Sequence, residues 1–174
     1  LYRALSTGTY EISDVHQTLS PSMDIQIASN FERFVFDVTG QDGSNVVKKM
    51  DELATSGAFS LTKEEHIQAL TSFIPARIDT ARTLKTIQKY YSEGMLLDPH
   101  TAVGVAAAEE SEFEHVIALA TAHPAKFSEA VTQAINKEPD YPESLQGILE
   151  RESRCTVVNN DFSAVEDIIR QQLG

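Results

Sequence analysis

One cysteine, Cys155, stands in the whole chain, and tryptophan is absent. A single thiol excludes an internal disulfide framework, and its place in the apolar run Cys155 to Val158 predicts a buried structural residue, which fits the cytosol. The five histidines (His16, His66, His100, His115, His123) show no paired spacing, and without cysteine partners no metal site is expected. Basic residues are few: 14 Lys+Arg face 26 Asp+Glu, for a net charge of −12. No basic block interrupts that acidic background, so neither nucleic acid nor an anionic lipid surface is expected as a partner. Long apolar runs are missing too. None approaches the roughly 20 residues that span a bilayer, and Leu1 to Tyr10 lacks the charged-then-apolar layout of a secretory leader. The expected location is cytoplasmic. GxSxG, GxGxxG and GxxxxGK[ST] do not occur, which disfavours an elbow-type hydrolase and the common nucleotide folds.

What is present is a chain of 174 residues, enough for one core or for part of a larger one. It opens on Leu1 and not on methionine, which points to a processed chain or a piece of a longer one. Glycine after an amphipathic run marks helix ends in its first half. Short apolar steps at Met23, Ile25 and Ile27 lead into Ser29-Asn30-Phe31-Glu32, read as a strand-to-helix turn with a Ser-x-x-Glu capping box. The helix it opens carries Phe31, Phe34, Val35 and Val38 and stops at Gly40, with Phe31 and Phe34 in the core. A second carries Val46, Val47, Met50 and Leu53 and stops near Gly57. Thr62 and Glu65 form another capping box, ahead of Ile67, Leu70 and Phe73 on one face. From Asp79, the residues Leu84, Ile87 and Tyr91 continue at helical spacing to Gly94.

The second half changes character. Asp98-Pro99 is an N-cap followed by proline at the first helical position, opening a helix of small residues expected to lie against a sheet. His115 to Ala120 (HVIALA) is a continuous apolar run, the pattern of a strand covered on both faces, and Cys155 to Val158 reads as another. Pro124 opens a further helix, and a final one places Val165, Ile168, Ile169 and Leu173 on one face. Strands alternating with helices predict an α/β fold: a partial parallel sheet with flanking helices and a helical insertion.

In such a sheet, ligands collect beyond the carboxyl ends of the strands. TAHPAK occupies that position, offering the Thr121 hydroxyl, the His123 imidazole and the Lys126 ammonium beside a helix start that favours anions. The alternative is that Thr121 and His123 satisfy the loop backbone while Lys126 is a solvated surface residue, and spacing alone does not choose. Asp98 and His100 are read as a cap and an ordinary first-turn histidine. The start near Ser29 offers an anion site with Arg33 one turn later, or a plain cap with solvent-facing neighbours.

Three segments in order, TLSPSMDIQIASNFERFVFD (18–37), LDPHTAVGVAAA (97–108) and ATAHPAKFSEAV (120–131), resemble the C-terminal part of the threonine synthase family, in its bacterial and fungal branch. GTYEISD (8–14) resembles the segment that precedes them. The resemblance implies a fragment, spanning 1–174, of the catalytic α/β domain of a type II pyridoxal-phosphate enzyme of the tryptophan-synthase-β-like class, with a helical insertion at about 41–95. It implies a lyase that converts O-phospho-L-homoserine and water to L-threonine and phosphate, with pyridoxal 5′-phosphate as cofactor. By the same resemblance, Thr121 and His123 are cofactor-binding, and Ser29, Asn30, Arg33 and Lys126 are substrate-binding. The family's Schiff-base lysine and glycine-rich phosphate cradle lie upstream of the matched region, and neither pattern occurs here. No catalytic residue is therefore expected in this chain, which is expected to need the N-terminal part of the same protein and to be inactive alone. The competing expectation is an autonomous helical interaction module using residues 29–94, which would have no reason to keep TAHPAK and DPHTA.

Overall fold

The computed structural model describes residues 1–173, and the chain divides into two compact units, Leu1–Asp140 and Tyr141–Gly174. In the first, α1 (Tyr2–Thr7) turns at Gly8 into β1 (Thr9–Glu11), which pairs antiparallel with β2 (Ala58–Ser60). Gly8 holds φ 77°, a left-handed conformation that lets α1 close on its own Ala4 carbonyl before the strand begins. Helices α2 (Phe31–Val38), α3 (Gly43–Ser56) and α4 (Lys63–Ser72) surround this hairpin. Their shared core is Ala4, Tyr10, Phe31, Val35, Val46, Leu53 and Phe59. Tyr10 stacks on Phe31 at 5.0 Å and lies 5.5 Å from Phe59, while its hydroxyl donates to the Gln26 carbonyl and accepts from the Ala28 amide. One aromatic ring thus joins the hairpin to the entry of α2.

The helix signals read from the sequence are met at Thr62, Asp79 and Asp98, and Asp42 supplies a further cap. Asp42 accepts from the Ser44 and Asn45 amides, Thr62 and Glu65 form the full capping box, and Asp79 accepts from the Arg82 amide. Helix α5 (Thr80–Ser92) and helix α6 (Pro99–Glu109) build a second cluster around Ile87, Leu97, Ala102 and Ala134, the last from α7 (Ser128–Ile135). Lys49 and Glu65 pair at 3.0 Å in a nearly dry setting between α3 and α4, and Lys49 also donates to the Ser60 carbonyl.

Several expectations are corrected. Among the described residues the only strands are β1 and β2, antiparallel, so no parallel sheet is formed. His115 to Ala120 and Cys155 to Val158 carry no strand, and Ile117, Leu119 and Val157 are 90%, 76% and 92% exposed. An apolar run encodes a preference for cover, yet a strand exists only where a neighbour supplies hydrogen bonds, and here none does. Cys155 is exposed, not buried. Helix α6 packs against α5 and not against a sheet, with Ala102 and Ala106 fully buried, because small side chains suit helix contact equally well. Met23, Ile25 and Ile27 are exposed, and Pro21–Met23 is a 3₁₀ turn where a strand was expected. Asn30, not Ser29, is the N-cap of α2 and no side chain caps it. Phe31 already bonds its amide to the Ala28 carbonyl, so the chain enters the helix through a turn that leaves Ser29 and Glu32 facing water.

In the second unit, 3₁₀ turns at Glu143–Leu145 and Ile148–Glu150 precede α8 (Phe162–Leu173), which buries none of its residues. No described helix is long and apolar enough to cross a membrane.

Candidate functional site

The N-terminus of α6 is the polar centre of the first unit. Asp98, His100 and Thr101 are 1%, 7% and 5% exposed, so three successive polar side chains are buried where the sequence showed only a cap. Proline at position 99 starts the helix with its φ preset and no amide to satisfy. Asp98 Oδ1 accepts the amides of His100 (2.9 Å) and Thr101 (3.3 Å), and its Oδ2 accepts the Thr101 hydroxyl proton. A carboxylate at a helix N-terminus also meets the positive end of the helix dipole, which offsets part of its burial.

Two other segments converge on this cap. The Ser22 amide donates to His100 Nε2 at 3.2 Å, which fixes the Pro21–Met23 turn on α6. Since Nε2 accepts, the proton of the neutral ring sits on Nδ1, 3.4 Å from Asp98 Oδ1 without an aligned hydrogen bond. The Thr121 amide donates to Thr101 Oγ1 at 3.0 Å, and the two hydroxyls lie 3.3 Å apart. The His100 ring contacts Phe127 at 4.5 Å between centroids, which seats the 3₁₀ turn Pro124–Phe127 on the same helix start. The quoted segments around positions 20, 98 and 121 therefore meet in space.

Thr121 is exposed, so its hydroxyl can meet a ligand while its amide is held from below. His123 caps the Pro124–Phe127 turn: its Nδ1 accepts from the Ala125 amide, leaving Nε2 outward on an exposed side chain. Lys126 is exposed, with its ammonium 5.5 Å from the centre of the Phe127 ring. Ser29 and Arg33 line a separate open hollow of about 410 Å³ with Glu32, Phe36, Gly43, Val46 and Val47. Asn30 is exposed beside it. Thr121, His123 and Lys126 are not among that hollow's walls, so the structure gathers the candidate residues into two groups.

The sequence reading missed Thr101 and undervalued His100. A visible signal existed in the pattern Asp-Pro-His-Thr: a helix start carrying three polar side chains ahead of the all-apolar AVGVAAA has to bury them against something.

Comparison with known proteins bears directly on this arrangement. A family model described as "Threonine synthase, C-terminal" matches residues 101–169. The threonine synthase of Pseudomonas aeruginosa is 41% identical over 98% of this chain and 38% of its own length, and that of Saccharomyces cerevisiae 35% identical over all of this chain and 40% of its own. Among solved structures, a pyridoxal-phosphate-bound threonine synthase from Brucella melitensis superposes with a TM-score of 0.89 at 40% identity, covering 98% of this chain and 37% of that one. The yeast enzyme gives 0.85 at 34%, covering 99% and 40%. The helix-rich fold, with its polar helix start, is thus similar to part of larger solved chains of which it covers about two fifths. In sequence and in fold alike, this chain is homologous to the C-terminal region of threonine synthase. It spans about two fifths of the length of the curated relatives it matches. An autonomous interaction module built on residues 29–94 is not favoured, since the relatives match across nearly the whole chain, residues 29–94 included.

Proposed function

We propose that this chain forms one wall of the active site of a pyridoxal-phosphate-dependent threonine synthase, which turns O-phospho-L-homoserine and water into L-threonine and phosphate. The observation that carries this reading is the exposed Thr121 hydroxyl, whose backbone is tethered to a buried carboxylate-bound threonine. The donor set fits the ring end of the cofactor: Thr121 offers a neutral hydroxyl, and the neighbouring Asp98 carboxylate is already engaged by the amides and hydroxyl of its own helix. No glycine-rich cradle for a cofactor phosphate occurs in the sequence.

Bound pyridoxal phosphate supplies an electron sink that stabilises negative charge at carbon as the γ-phosphate departs and water adds. The Thr121 hydroxyl would bond the ring nitrogen. A neutral partner would not stabilise positive charge there as a carboxylate does, so that nitrogen would stay largely unprotonated. His123, with Nδ1 engaged, would have Nε2 free for the cofactor, and the Lys126 ammonium would meet the anionic substrate. Arg33 binds the substrate phosphate with its planar fork, and Ser29 and Asn30 orient that group at the hollow's edge. The covalent lysine comes from elsewhere in the protein, so this chain alone is inactive.

The same reading accounts for the bare apolar runs. Residues 115–120 and 155–158 become strands of a parallel sheet once the N-terminal part of the protein supplies neighbours, and residues 41–95 are a helical insertion beside that sheet. The test is phosphate release from O-phosphohomoserine by the longest natural chain that carries this sequence. Thr121→Ala and Arg33→Ala each lower the rate by about tenfold or more, the worth of one well-placed polar contact. Full activity in both variants overturns the reading.

A further inference from the structure

The contacts of Asp98 exceed what a helix cap needs. Its Oδ1 alone satisfies the two first-turn amides, and Oδ2 is spent on the hydroxyl of Thr101. That hydroxyl has one proton, so once it is committed to the carboxylate the Thr101 oxygen has only lone pairs left. It uses one to accept the Thr121 amide at 3.0 Å. Where the two hydroxyls approach to 3.3 Å, the remaining proton belongs to Thr121. Thr101 therefore cannot donate to Thr121, so Thr121 is the donor in that contact while its backbone is pinned. His100 cannot take over this role. Its Nε2 is capped by the Ser22 amide and the ring is 7% exposed, so it touches no external molecule. The atom of Ser22 that meets it is the amide nitrogen, not the hydroxyl, which also excludes a Ser-His-Asp hydrolytic set.

We infer that Asp98 and Thr101 are positioning residues for Thr121, acting through its amide to hold an exposed hydroxyl whose single proton turns from the contact with Thr101 to a heteroaromatic nitrogen when one is bound. This role rests on the assignment of Thr121 to the cofactor ring. Neither residue touches cofactor or substrate. A mere packing role for Thr101 would be kept by an isosteric valine, whereas the positioning role requires the oxygen.

The test uses the intact enzyme that carries this sequence, loaded with pyridoxal phosphate isotope-labelled at its ring nitrogen, with two readouts: the resonance of that nitrogen and steady-state kinetics. Thr101→Val is expected to move the resonance in the same direction as Thr121→Ala. It lowers kcat by about tenfold, the worth of one hydrogen bond, with KM within about twofold. Thr101→Ser restores both. Asp98→Asn, which keeps a cap oxygen for the amides but no longer receives the Thr101 proton as a carboxylate does, moves the resonance the same way. A folded Thr101→Val enzyme with wild-type resonance and kcat, beside a Thr121→Ala enzyme that is altered, overturns the positioning role and leaves the Thr121 assignment standing. A Thr121→Ala enzyme with an unchanged resonance overturns both.

Discussion

Replacing Asp98 by alanine removes a buried side chain that accepts three hydrogen bonds. The carboxylate is 1% exposed and accepts the His100 amide, the Thr101 amide and the Thr101 hydroxyl. Loss of the longer bond to the Thr101 amide costs about 1 kcal/mol. The Thr101 hydroxyl and the His100 amide, both buried, then lack their acceptor, at about 1–2 kcal/mol each. Relief of the buried charge returns about 1 kcal/mol. The expected net destabilisation is about 2–4 kcal/mol, readable as a fall of about 1–2 M in the urea midpoint followed by far-ultraviolet circular dichroism. Asp98→Asn keeps an acceptor for the two amides and is expected to lose only about 1 kcal/mol. The reasoning fails if alanine stays within about 0.5 kcal/mol of the parent, or if asparagine is as damaging as alanine.

Three further outcomes follow from other parts of the fold. Burial pushes the Glu65 carboxyl up, but the Thr62 amide, the Lys49 ammonium and the Asn45 amide together hold it below the usual carboxylate range. Its contribution to stability is therefore full above the ordinary glutamate value of about 4.3 and fades as pH falls through the lower folded value. The melting temperature of Glu65→Gln should show less acid loss than the parent, and an identical slope contradicts this. Gly8→Ala places a Cβ 3.1 Å from the His66 ring at φ 77°, while His66 Nε2 is held 2.6 Å from the Leu5 carbonyl, so a loss of about 1–2 kcal/mol is expected on urea titration. A neutral effect would show that the ring yields freely. Cys155 is exposed, so native chain should react with a thiol reagent about as fast as urea-unfolded chain. Strong native protection would contradict the exposure.

Local chemistry made most helices legible from sequence, because a cap, a face and a terminator are all encoded within a few residues. Thr62, Asp79 and Asp98 start their helices as read, and Gly57 closes α3 in a left-handed conformation. The strands were not legible, since HVIALA and CTVV state that cover is wanted but not whether the chain supplies it. At Ser29 the capping box lost to a turn that begins at Ala28, a competition between two local patterns that the four-residue motif does not record. The site was partly legible. The segments TLSPSMD, LDPHTA and TAHPAKF were picked out, and the structure joins them through His100 and Thr101, yet those two residues carry the connection only because burial makes their hydrogen bonds obligatory. Ser29 and Arg33 share a hollow, as anion-binding neighbours one turn apart would, but its walls do not include Thr121.

The most direct test is the distance from Thr121 Oγ1 to the ring nitrogen of pyridoxal phosphate in a crystal structure of the longest natural chain containing this sequence, grown with the cofactor. The account predicts hydrogen-bond contact, about 2.6–3.2 Å, with the Thr121 amide still on Thr101. A cofactor ring lying more than about 4 Å from that hydroxyl, or one held by a carboxylate in its place, contradicts it.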